Sequence, residues 1–144
     1  MKALLAGAAV VLVGMVAGGG VAAEDSRTVV KMPAEFRAEF MDEMRHHMDS
    51  FDDVLAQVAM GDFKAAAKVA DEELVVGGGK GFGRYLPLEF REMGLAMHRS
   101  AAEFRDLAAA APEKPTAADW QAVVSSLQVV SANCRACHAS FRVE

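Results

Sequence analysis

Residues 120–142 read WQAVVSSLQVVSANCRACHASFR, from Trp120 to Arg142. Trp120, Val123, Val124, Leu127, Val130 and Cys134 recur at spacings of three and four, the period of one helix face. Cys137, His138 and Phe141 continue that face, so the helix is expected to run to the end of the chain. Within it stands Cys134-Arg135-Ala136-Cys137-His138, the C-x-x-C-H spacing that attaches a c-type haem. Two thiols three residues apart on one helical turn can each add to a vinyl group of a haem. The histidine beside them then falls under the iron.

Upstream, the same period recurs three times. Thr116 is expected to cap the last helix, with Asp119 as a carboxylate in its first turn. A third helix is predicted from near Pro87, with Phe90, Met93, Met97, Ala101, Phe104 and Leu107 as its stripe. It ends in residues 108–111, before Pro112 and Pro115. A second helix, capped by Asp62, carries an alanine-rich face of Phe63, Ala66, Ala67, Val69, Ala70 and Leu74. The first is predicted from Pro33 to about Met60, where Phe36, Phe40, Met44, Met48, Phe51, Leu55 and Val58 form one stripe. Asp42, Glu43, Asp49, Asp52 and Asp53 lie mainly off it. The run Gly77-Gly78-Gly79-Lys80-Gly81-Phe82-Gly83 has no strand before it and no G-K-[ST] after it, so it reads as a crossover rather than a phosphate cradle. No segment alternates with period two. The fold class is all-α: an antiparallel four-helix bundle, with covalently attached haem between the facing stripes near one end.

Residues 1–23 have the pattern of a secretory signal peptide. Lys2 precedes the uncharged run from Ala3 to Ala17, a glycine break follows, and Val21-Ala22-Ala23 offers a small-residue cleavage site. The apolar run is short for a membrane span. Of 144 residues, 121 follow Ala23, enough for one domain over 24–144. Those residues carry 14 of the chain's 15 Lys and Arg, against 20 Asp and Glu, a net charge of −6. No basic block interleaves with aromatics, which argues against nucleic acid as a partner. Export agrees with the motif, because haem is attached to CxxCH outside the cytoplasm. A disulfide across so short a loop would stabilise little. A redox dithiol is expected near a βαβ pattern, which is missing. Zinc would need two further ligands, for which His46, His47 and His98 are candidates.

The run Cys134-Arg135-Ala136-Cys137-His138-Ala139-Ser140-Phe141-Arg142 resembles the end of a class II c-type cytochrome, the cytochrome c′ and cytochrome c556 family. An aromatic-Arg pair three and four residues after the haem histidine, at the end of the last helix, is that family's habit. The resemblance spans residues 33–144 and is sharp only at this C-terminal motif. It implies one haem c per chain, held by Cys134 and Cys137 and ligated through iron by His138. It also implies that Arg142 lies near the proximal side or the propionates. Phe141 stands where the family commonly has tyrosine.

In that family the residue on the far side of the iron comes from the first helix. Met44 is the first candidate for a sixth iron ligand, then Met48 and Met41. Placing Met44 there aligns Phe51 with an apolar haem-packing position. Arg45 cannot ligate iron, and His47 would give a bis-His haem of lower potential. His46 is expected to face solvent, and His98 to pack or to meet a propionate. The resemblance thus implies a periplasmic electron carrier with His/Met coordination. It would not be an enzyme, would serve a periplasmic redox partner protein and would have no stable membrane insertion after cleavage. The alternative is a five-coordinate cytochrome c′ that binds NO or CO. Family habit allows a homodimer, with Phe36 and Val54 as conceivable interface residues.

Overall fold

The computed structural model describes residues 24–75 and 81–144. The predicted signal peptide and residues 76–80, which include Gly77 to Lys80 of the glycine-rich run, lie outside that range. Along the chain come strand β1 (Thr28–Val30), helix α1 (Ala34–Ala59), helix α2 (Phe63–Glu73), a 3-10 helix (Phe82–Tyr85), helix α3 (Leu88–Ala110), helix α4 (Ala117–Ser140) and strand β2 (Phe141–Val143). The described residues are therefore mostly helical, with four α-helices among them. None of the described helices is long and apolar enough to cross a membrane.

The helix starts follow local chemistry. Pro33 and Pro87 stand immediately before α1 and α3, where a missing N–H costs nothing. The Asp62 carboxylate accepts from Ala65 N at 2.9 Å at the head of α2. Thr116 and Asp119 form a reciprocal capping box on α4. Between α1 and α2, Gly61 adopts φ +78°, and a Cβ there would stand 3.3 Å from the Trp120 ring. Only glycine meets both the left-handed turn and that close approach.

Each helix packs chiefly on its neighbour in sequence: α1 on α2, α2 on α3, and α3 on α4, while α1 meets α3 and α4 at few points. The core lies along these seams. Val54, Ala66, Ala70, Ala101, Phe104 and Val123 have no exposed surface. The alanines of α2 admit close approach, and Phe104 belongs to the same buried cluster. Polar ties join the same pairs of helices: His46 to Glu73 at 2.7 Å, and Arg105 to Asp71 at 2.8 Å. Val54 is thus core rather than an interface residue. Phe36 packs on Tyr85, with the Arg84 guanidinium over both rings.

One expectation is corrected. Helix α4 stops at Ser140, and the backbone at Phe141 is extended at φ −131° and ψ 151°. Phe141–Val143 pairs parallel with Thr28–Val30, in the register Thr28 to Phe141, Val29 to Arg142 and Val30 to Val143. Both trios are rich in β-branched and aromatic side chains that suit a strand. Three residues are too few for a period of two to show in sequence.

Candidate functional site

Because α1 stands away from α3 and α4, a cleft opens between them. Its cavity volume is about 140 Å³, below the usual range of small-molecule and cofactor pockets. Helix α4 supplies one wall. Cys134 and Cys137, one turn apart, both line it, as does His138. The cysteines are unpaired thiols. Burial pushes both of them above the usual thiol range, and at Cys137 the neighbouring Cys134 adds to the rise. Just before the motif, Asn133 Nδ2 donates to Ser100 Oγ at 3.0 Å and to the Ala96 carbonyl at 3.4 Å. Ser100 is itself buried, and its hydroxyl donates to the Met97 carbonyl. This chain of bonds fixes α4 against α3 beside the thiols.

Helix α1 supplies the facing wall through Met44, His47, Met48 and Phe51, at i, i+3, i+4 and i+7. Met44 is half-buried, whereas Met48 is 53 % exposed. Met41 is exposed and does not line the cleft. Arg45 lies on the solvent side in an ion pair with Asp42, and His46 faces outward to Glu73. The third wall is α3, with Phe90, Met93, Gly94, Met97 and His98, and Leu74 beneath. Phe90 packs against Phe40 and Phe141 at 5.9 and 5.1 Å between ring centres.

Two histidines meet across the cleft. The rings of His47 and His98 stand edge to face, 5.4 Å apart. His98 Nδ1 is 2.6 Å from the Leu74 carbonyl, which can only accept, so Nδ1 carries the proton. His47 Nε2 is 3.7 Å from the Glu43 carboxylate. Gly94, in the middle of α3, borders the cleft, and no atom stands within 4 Å of where its Cβ would be.

No protein-family model, curated protein or solved structure matches the chain. The site is therefore judged on its donors. Two thiols and an imidazole from one helix end face thioether sulfurs across largely apolar walls. That set would suit an apolar macrocyclic cofactor held through the thiols, with the imidazole as a ligand to its metal. Among the described residues, no group of three or more His, Cys, Asp or Glu is arranged to hold a metal ion. A zinc site built on the cysteines and His46, His47 or His98 thus finds no support. Of the residues singled out in sequence, Cys134, Cys137, His138, Met44, Met48 and Phe51 come together. Arg142 does not line the cleft: it lies in β2, 2.5 Å from Glu144 and 3.6 Å from Asp25. Sequence reasoning missed Asn133, Gly94 and the placement of His98. A glycine inside an otherwise regular helical stripe was the only signal available for Gly94.

Proposed function

We propose that this chain is a periplasmic c-type cytochrome. It would be an antiparallel four-helix bundle that carries electrons through one covalently held haem and is not an enzyme. The observation that carries this reading is the joint lining of one cleft by Cys134, Cys137 and His138 from α4 and by Met44 from α1. Cys134 and Cys137 would hold the haem through thioether links, and His138 would ligate its iron. Bound there, the haem supplies a one-electron iron couple whose potential depends on the axial ligands and on burial. The apolar side chains of α1 and α3 exclude water from it. Met44 is the better partner on the far side, because Met48 keeps half its surface in water. His47 is engaged with His98 and lies near Glu43, so its ligation would first require leaving them. Electrons would pass to a periplasmic redox partner through a small transient interface.

The test is to express the chain with its own leader, in cells that attach haem, and to take mass and optical spectra. The expected mass is that of the processed chain plus one haem, with a low-spin spectrum in both oxidation states. Met44→Ala is expected to convert the spectrum to high spin, and Met48→Ala to leave it low spin. Absence of covalent haem in the wild-type chain would overturn the reading. A high-spin wild-type spectrum that shifts on adding NO or CO would replace the carrier with the gas-binding alternative.

A further inference from the structure

His138 sits two residues from the end of α4, and its side chain is exposed. Packing therefore does not hold it. The last carbonyls of a helix also lack partners within it, and helix ends fray. An imidazole on a frayed turn has no fixed direction, because side-chain direction follows the helix backbone.

The other end of the chain supplies the missing partners. Arg27 Nη1 donates to the His138 carbonyl at 3.4 Å. Directly beyond, β1 pairs with β2. Glu144 N then donates to the Val30 carbonyl at 3.0 Å, and Met32 N donates to the Glu144 carbonyl at 3.1 Å. Val30 and Met32 anchor the segment, at 2 % and 8 % exposure. The Asp25 carboxylate accepts from Arg27 Nε at 2.9 Å and from Nη2 at 2.7 Å, and stands 3.6 Å from Arg142 Nε. One carboxylate thus ties the guanidinium on β2 to the one that reaches the helix end.

We propose that residues 25–32 form a strap that holds the last turn of α4, and that Arg27 is a positioning residue for His138. The part played by Arg27 rests on the reading of His138 as an iron ligand. The hold of the strap on the helix does not.

Amide hydrogen exchange and resonance Raman spectroscopy test the two parts separately. Exchange is measured on the haem-loaded protein and on the haem-free chain. The Raman band is measured on the reduced haem-loaded protein in the Met44→Ala background, where the iron would be five-coordinate. Each is compared without and with Arg27→Ala, Arg27→Lys and Val30→Asp. In Arg27→Ala, exchange at residues 138–143 is expected to quicken by about threefold to tenfold, the range one hydrogen bond supports, while amides of α2 keep their rates. The band of the iron–histidine bond should shift and broaden. Arg27→Lys, which keeps the charge and a donor, should restore both in part. Val30→Asp should release the whole strap and exceed the effect of Arg27→Ala. Unchanged exchange at 138–143 in both Arg27→Ala and Val30→Asp overturns the strap. Quickened exchange with an unmoved iron–histidine band overturns Arg27 as a positioning residue. If no haem attaches even to the wild type, the functional reading falls, and exchange in the haem-free chain still decides the strap.

Discussion

Gly94 illustrates how a single residue can serve a site by what it lacks. Glycine inside a helix costs about 1 kcal/mol relative to alanine, yet nothing packed against α3 requires it, since a Cβ there would meet open space. Its effect is to thin one wall of the cleft. In the haem-free chain, Gly94→Ala is expected to raise stability by about 0.5–1 kcal/mol, read from urea unfolding. If haem is held as proposed, Gly94→Leu should preserve helix content and sharply reduce covalent loading, read by mass spectrometry. Loading at the wild-type level would mean that the cofactor does not sit there. Phe104 is the opposite case. It is fully buried, and Phe104→Ala is expected to cost about 3–5 kcal/mol. The two thiols and His138 were legible in sequence because their motif is local. The parts played by Gly94, Asn133 and His98 depend on which residues of another helix face them, and one sequence does not carry that.

Among the elements, α4 shows how a helix start depends on pH. Asp119 Oδ2 accepts from Thr116 N and Oγ1, both at 2.7 Å, and Thr116 Oγ1 accepts from Asp119 N at 3.3 Å. The bonds from Thr116 hold the Asp119 carboxyl below the usual carboxylate range. A carboxyl whose value is depressed on folding stabilises the fold above its unfolded value, near 3.9. That contribution fades as pH falls through the folded value. Thr116→Ala is expected to cost about 1 kcal/mol at neutral pH, and the gap from wild type should narrow in acid. A gap constant from neutrality into acid, measured by thermal unfolding, would refute the linkage. All four helix starts were legible, because Pro33, Asp62, Pro87 and Thr116 act on their own first turns. Strands β1 and β2 were not. Each is too short for a periodic signal, and its partner stands at the far end of the chain.

At the scale of the molecule, the order of packing sets where the fold can open. Helix α1 leans on α2, and its few contacts with α3 and α4 leave the cleft between them. Local stability follows the density of such contacts. In the chain without cofactor, amides of α1 should exchange faster than those of α3 and α4, and, if haem is held as proposed, its attachment should slow them and raise the Tm. Equal protection of all three helices before loading would contradict this. The parallel pairing of β1 with β2 has a mechanical consequence as well. Tension applied between Glu24 and Glu144 enters the two strands from opposite ends and draws them past one another. Loaded in shear, the hydrogen bonds between them resist together instead of peeling apart in turn. The helices bear no force until that small clasp has parted.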